Sequence, residues 1–440
     1  MSRISTYLHL TTTQDGSLVI LDSLNNHIYK VNKLKRDKML RCLYSDKHST
    51  SEMDFLRGLD LILDDDIGAD LYEDLYSHFI KDKSFMHLVI LPTEKCNFRC
   101  SYCYENYDKP SMSVEVQNSI IEYVTSEIKN YGGLRVEWFG GEPLLAADVI
   151  NRLTRSFKEI CRQNKKPYIA SMTTNAYLLD LNMFKQMFKK NNVVKFQITI
   201  DGTEEIHNKQ RKLLNGYPTY SKILENLLSI KNNINSRFFN IIIRCNITPE
   251  VLPWFDEYIK IVEDNFGEDE RFEALWKLAW KLGEREKDCT FCEQSVLKDL
   301  LEKNTNRNMR FGTNRLQLTR YGNICYASAK NSMVIGSDGL VYKCTVAFDD
   351  EKNNVGFLEN GKLILDDRKF KFWTERKAHY TYSECNKCDI YPTCMGIYCN
   401  LNNFDGEGNF VCAGMKEYVD LYLEYLSKYS YFVKDVSNLL

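Results

Sequence analysis

The chain has 440 residues, enough for two or three domains, and 44% hydrophobic content, enough for a sizeable core. Its 58 Lys and Arg balance 60 Asp and Glu without a basic block, so composition gives no electrostatic case for a nucleic-acid partner. The opening MSRISTYLHL lacks an apolar secretory core and no apolar run approaches the ~20 residues that cross a bilayer, so a soluble, cytoplasmic protein without a membrane partner is expected.

In chain order, Tyr7–Thr11, Leu18–Leu21 and His27–Val31 read as short strands, with turns at Asp15-Gly16 and Asn25-Asn26. Helical patterns follow near Leu34–Leu43 and Leu71–Ile80. Residues 1–84 thus form a small strand-then-helix, winged-helix-like module that reads as separable from the rest. From residue 85 the pattern changes to alternating strands and helices. The strands are His87–Leu91, Val136–Phe139, Tyr168–Thr173, Val194–Ile200 and Asn240–Ile247; Val114–Ile128 and Asp148–Cys161 are among the helices. Repeated βα units with apolar strands place residues 85–250 in the α/β class, on a parallel sheet that is open or curled into a (β/α) barrel. Residues 251–320 are a charged bridging region. Residues 321–440 are cysteine-dense and rich in turn glycines, and bound cofactors are expected to hold them together more than a large apolar core does.

Fifteen cysteines in a cytosolic chain do not read as a disulfide framework, because that compartment keeps thiols reduced. Metal ligation is the better reading, and spacing selects the metal. Cys96, Cys100 and Cys103 fall within eight residues, directly after the first apolar strand. Structural zinc favours paired C-x2-C units, whereas three thiolates in one loop can hold a cubane and leave one iron open.

This CxxxCxxC loop, with Tyr102 before its last cysteine, resembles the signature of the radical S-adenosylmethionine (SAM) family. The resemblance implies a 4Fe–4S cluster on Cys96, Cys100 and Cys103. SAM would chelate the fourth iron and be cleaved to a 5′-deoxyadenosyl radical that abstracts hydrogen. Phe139-Gly140-Gly141-Glu142-Pro143 resembles the family's GGEP turn. Thr173-Thr174-Asn175-Ala176 resembles its TNG turn, with Ala176 in place of glycine. Gln197 to Gly202 with His207 and Arg211 resembles its SLDG segment, with Thr199 in place of serine. By these matches Tyr102, Gly140, Gly141, Glu142, Thr199 and Arg211 would bind the cofactor, while His207 on its own reads as a surface or capping histidine. The implied fold is a partial (β/α)6 TIM-like barrel, whose sites sit where strands end.

A second set of cysteines, Cys325, Cys344, Cys385, Cys388, Cys394, Cys399 and Cys412, resembles the SPASM extension and implies two further 4Fe–4S clusters, three in all. One would use Cys325, Cys344 and Cys399, with an open iron or a fourth ligand from Cys289 or Cys292. The other would use Cys385, Cys388, Cys394 and Cys412. Four residues separate Cys394 from Cys399, against three in the family pattern. A zinc ribbon at Cys385–Cys394 is the competing reading, since C-x2-C is also zinc's spacing. Cys42, Cys161 and Cys245 lie in periodic segments and read as buried structural residues.

SPASM enzymes act mostly on peptides or proteins. The resemblance implies either cross-linking of a ribosomally made precursor peptide, by a thioether or a carbon–carbon bond, or oxidation of a sulfatase residue to formylglycine. Two features favour the first. Residues 1–84 are the right size for a leader-peptide recognition element, which captures a peptide along a sheet edge. Thr345 stands where sulfatase-maturing relatives carry an Asp base, and a hydroxyl cannot act as a general base at neutral pH. The implied partners are a leader-bearing precursor peptide and a flavodoxin- or ferredoxin-type electron donor. A non-catalytic electron carrier is the alternative outside enzymes; it has no use for the glycine turn or for Thr199 and Arg211.

Overall fold

The computed structural model describes residues 3–45, 47–63, 77–107, 109–279, 318–320, 324–375, 385–396, 399–401, 412, 415–428 and 433–440, with isolated positions at 296, 299–300, 303 and 322. At the N-terminus β1 (Arg3–Ile4) is followed by a meander of β2 (Leu8–Thr12), β3 (Leu18–Asp22) and β4 (His27–Val31). Gly16 and Asn26 supply the positive φ of its two turns, +83° and +62°. Helices Arg36–Tyr44 and Thr50–Gly58 then cover the sheet, with Met39, Leu43 and Leu56 buried against Leu18, Ile20, Tyr29 and Val31. The second helix was not foreseen, although Ser49 and Glu52 form a complete capping box. β5 (Ile62–Leu63) returns to pair with β1. Of the expected Leu71–Ile80 helix, residues 71–76 lie outside the described residues.

The central sheet begins with β6 (Met86–Ile90), and the cysteine loop contributes the short β7 (Phe98–Cys100). β8 (Leu134–Trp138), β9 (Tyr168–Thr174) and β10 (Val193–Thr199) come next, then the short β11 (Arg211–Leu213) and β12 (Asn240–Ile247). A further strand, β13 (Phe272–Leu278), lies inside the stretch read as a bridge. The order β6-β8-β9-β10-β12-β13 is sequential and every neighbour is parallel, as a partial (β/α)6 barrel requires. The connecting helices pack on one face. The helix Ala147–Gln163 buries Val149, Ile150, Leu153, Phe157 and Ile160, each worth roughly 1.5–3 kcal/mol of transfer free energy. The strands answer with Val136, Trp138, Phe196, Ile198, Ile241 and Ile243.

The first half of the cysteine-dense region joins the central sheet and its core. Its β14 (Ser332–Ile335) pairs parallel with the free edge of β6 and continues the sheet through β15 (Leu340–Tyr342), β16 (Asn354–Glu359) and β17 (Lys362–Leu365). Met333, Ile335, Val341, Val355, Leu358 and Trp373 belong to the same core as the parallel strands. Nor is the N-terminal module set apart. β18 (Lys434–Asp435) adds to the edge of β4, and the helix Met415–Leu426 packs on β2. His9 bridges Asp389 (2.7 Å) and Asp420 (2.9 Å), and Ser23 donates to the Asp389 carbonyl. None of these partners is near in sequence, so the seam is invisible to a chain-order reading.

Candidate functional site

The chain leaves β6 through Thr93, Glu94 and Lys95 and enters the cysteine loop. β7 pairs antiparallel with β11, setting Cys100 opposite Arg211 across 111 residues of sequence. Ser101 N donates to Gln210 O and Leu214 N to Asn97 O at either end of this pairing. Cys96, Cys100 and Cys103 lie close enough to feel one another's charge. Burial is the main cause that raises all three thiols, Cys103 to about 12, with neighbouring thiols adding to the rise at Cys96 and Cys103.

The glycine turn explains itself sterically. Gly140 has φ +111°, and a Cβ there would collide with the Thr93 carbonyl; at Gly141 it would collide with the Lys95 carbonyl. What approaches these glycines is the chain's own run into Cys96, a nearer reason for them than contact with a cofactor. Glu142 is fully buried and works as a tie. Its carboxylate accepts from Leu144 N (3.0 Å), Thr174 Oγ1 (2.7 Å) and Asn175 N (2.7 Å), while its own N–H donates to Lys95 O. Asn175 reaches on to Asn97 (2.8 Å) and the Cys96 sulfur (3.9 Å). Ala176 keeps the positive φ of the glycine it replaces, +61°.

Tyr102 centres a second network. Its hydroxyl donates to Asp201 and accepts from Arg211 Nη1 (2.6 Å) and Asn246 Nδ2 (3.1 Å). Asp201 also accepts from Asn246 N (2.7 Å) and lies 3.9 Å from Arg211. Burial raises the Asp201 carboxyl, and Arg211 opposes that rise. Thr199 ends β10 beside this group, on the face away from the helices. His207 is buried rather than at the surface: it accepts from Asp201 N (3.2 Å), pairs with Thr219, and is kept neutral by burial. Sequence reading missed Asp201 and Asn246 as site residues. Asp201 lay inside the quoted motif, and Asn246 is a polar residue at alternate spacing in the apolar strand NIIIRCNI.

Cys325, Cys344 and Cys399 are within electrostatic reach of one another, and burial pushes Cys325 to about 12. Around Cys394, likewise near 12 through burial, lie Cys388, Cys412 and Cys385. Asn353 clamps Cys344, accepting from its N–H (2.7 Å) and donating to its carbonyl (2.9 Å). Tyr326 joins Cys325's turn to Thr345, donating to its hydroxyl (3.0 Å). Cys289 and Cys292 lie outside the described residues. Cys161 and Cys245 are buried in the core, and Cys42 in the N-terminal core. A cavity of about 200 Å³ opens between the two regions, walled by Glu94, Tyr104, Glu105, Lys109, Tyr342 and Phe348. Burial, then Glu94 and Glu142, pushes the Glu105 carboxyl to about 8.

The donor set suits an iron–sulfur cofactor with an anionic ligand beside it. Among the described residues no three metal-binding side chains close on a single ion, whereas a cubane spreads its thiolates over separate irons. Arg211 Nε is buried without a hydrogen-bond partner next to Cys100, as a carboxylate-binding guanidinium would be before its ligand arrives.

Residues 90–256 match the model of the Radical SAM superfamily. The chain is 24% identical over 367 residues to the cysteine-type anaerobic sulfatase-maturating enzyme of Clostridium perfringens, covering 76% of this chain and 95% of that one. It is 27% identical over 158 residues to the GTP 3′,8-cyclase of Haemophilus ducreyi, 35% of this chain and 42% of that one. Among solved structures, anSMEcpe with bound AdoMet and Cp18Cys peptide superposes with a TM-score of 0.59 at 20% identity, over 78% of this chain and 97% of that one. Streptococcus suis SuiB bound to precursor peptide SuiA superposes with a TM-score of 0.53 at 15% identity, over 94% and 99%. Residues 90–256 are a radical SAM domain, and the chain is an enzyme. That superfamily binds SAM and a 4Fe–4S cluster. Among the described residues no helix is long and apolar enough to cross a membrane.

Proposed function

We propose that this enzyme matures a ribosomally made precursor peptide, installing an intramolecular thioether or carbon–carbon cross-link. Cys96, Cys100 and Cys103 would hold a 4Fe–4S cluster, which would supply the electron that reductively cleaves bound SAM, and the adenosyl fragment so released would abstract hydrogen from the peptide. The protein's own part is positional. Tyr102, Asp201 and Asn246 hold Arg211 toward the SAM carboxylate, with Thr199 alongside. Glu142 locks the glycine turn against the run into Cys96. Cys325, Cys344 and Cys399 would hold one auxiliary cluster, and Cys385, Cys388, Cys394 and Cys412 the other. Residues 1–84 would take the leader, the outer strands of their sheet being β2 and the two-residue β18.

The observation that carries this reading is Thr345. The position after Cys344 offers a hydroxyl that accepts from Tyr326, not a carboxylate that could take a proton. The extent of fold shared with SuiB, 94% of this chain against 78% for anSMEcpe, adds support. Sulfatase maturation is the second reading, favoured by the match over 95% of the Clostridium perfringens relative.

Reconstituted anaerobically and given SAM and dithionite, the enzyme should form 5′-deoxyadenosine; an electron carrier forms none. A short open reading frame beside its gene would name the candidate precursor, and with that encoded peptide the enzyme should produce a species lacking two hydrogens. Conversion of a sulfatase Cys peptide to formylglycine, with the encoded peptide untouched, would replace this proposal with the second reading.

A further inference from the structure

The face of the central sheet turned away from the helices carries charge. In β12 and β13 the residues Ile241, Ile243, Cys245, Phe272, Ala274 and Trp276 enter the core, so Arg244, Asn246, Glu273 and Lys277 project to the other side. The parallel register sets Arg244 beside Leu275 and Asn246 beside Lys277, which makes Arg244 and Lys277 diagonal neighbours on one face. Two like charges so placed repel. Burial and then Arg244 push the Lys277 ammonium toward its neutral form, and no carboxylate among the described residues counters either influence. Lys277 is partly buried.

Among the described residues no carboxylate forms an ion pair with Arg244 or Lys277. Glu137, on the same face of β8, is answered by Lys195 and Arg135. Asp201 sees Arg244 but is held by Tyr102, Arg211 and the Asn246 amide. Glu273 is the other diagonal neighbour of Arg244 on this face, across Leu275 from Lys277, and among the described residues it forms no ion pair with either cation. Arg244 Nε donates to Asn246 Oδ1 (2.8 Å), and among the described residues Lys277 has no hydrogen-bond or ion-pair partner. Arg244 also sits close enough to act on Tyr104, which follows Cys103 directly. Arg244 therefore stands within electrostatic reach of the chain just past the cysteine loop.

We propose that Arg244 and Lys277 form an anion subsite that takes a carboxylate of the substrate peptide, from an Asp or Glu side chain or a free C-terminus. The inference rests on the peptide-maturase reading. A bound carboxylate relieves the repulsion between the two cations and orients the peptide over the site, so acidic peptides are selected over their amide counterparts.

Three short Gly/Ser peptides with an uncharged fluorophore test it by anisotropy on the reconstituted holoenzyme, with SAM saturating so that its own carboxylate is already placed. One carries a single Glu and an amidated end, one Gln and an amidated end, and one Gln and a free carboxylate. At least one carboxylate peptide should bind about ten-fold or more tighter than the Gln amide, and which one names the source. Lys277→Met should erase the preference and Lys277→Arg should keep most of it. Equal binding of all three peptides, or a preference that survives Lys277→Met, overturns the subsite. Absence of 5′-deoxyadenosine from the wild-type enzyme counts against the underlying reading instead, so the two failures are separable.

Discussion

The cysteine loop of the barrel and the cysteine-rich C-terminal region assemble their thiols by different means. In the barrel, strand pairing does the placing: β7 against β11 sets Cys100 opposite Arg211, and the Glu142 and Tyr102 networks hold the loop from both sides. Around Cys394, Cys385 opens a 3-10 turn, Cys385–Lys387, Cys388 follows it, and Cys394 closes a single helical turn, Tyr391–Cys394, ended by Met395 at φ +51°. The first site is held by strand pairing and buried hydrogen bonds. The second is held by local turns, so a cluster bound there would contribute more of the folding free energy.

The largest expected effect isolates the two kinds of site. Cys100→Ala should abolish 5′-deoxyadenosine formation and lower the bound iron by one cluster's worth, leaving in place any iron held by the proposed auxiliary sites. Retained SAM cleavage would break the comparison at its base. A mid-sized effect tests the scaffold. Glu142→Ala leaves three buried donors without an acceptor, each worth roughly 1–3 kcal/mol. Its melting temperature should fall in the iron-free protein as much as in the loaded one, as followed by circular dichroism; a loss confined to loaded protein would mean the metal, not the scaffold, orders the loop.

The smallest effect sharpens the C-terminal side. Burial opposes protonation of His9, but hydrogen bonds and charge from Asp389 and Asp420 outweigh it and raise its pKa. A raised folded-state pKa means the stabilisation is full below the unfolded value near 6.5 and is lost as pH rises through the folded value. With Asp420 largely exposed, about 1 kcal/mol or less is at stake. His9→Gln should flatten the pH dependence of protease cleavage between the N-terminal module and the helix Met415–Leu426, and an unchanged profile would remove His9 from the seam.

Much of the site was legible because its chemistry is local. Three cysteines in eight residues, and a Gly140-Gly141 pair at a strand end, declare themselves without a fold. The strands from His87 to Ile247 were legible through their apolar runs. β13 was hidden because FEALWKL alternates charge with apolar residues among charged neighbours. Asp201 and Asn246 were harder still, since a carboxylate and an amide gain a role only from what they touch, here the Tyr102 hydroxyl brought from another loop.

By itself the amino-acid sequence determined the class of chemistry: which residues can bind iron, which turns need glycine, and where strand and helix alternate, because these depend on residue type and short spacing. Tertiary structure alone decided that Arg211 faces Cys100, that the cysteine-dense region shares the barrel's core, that His9 joins the N-terminal module to it, and that Arg244 and Lys277 share one face. Those are consequences of strand order and register, which bring together residues tens to hundreds of positions apart and cannot be read along the chain.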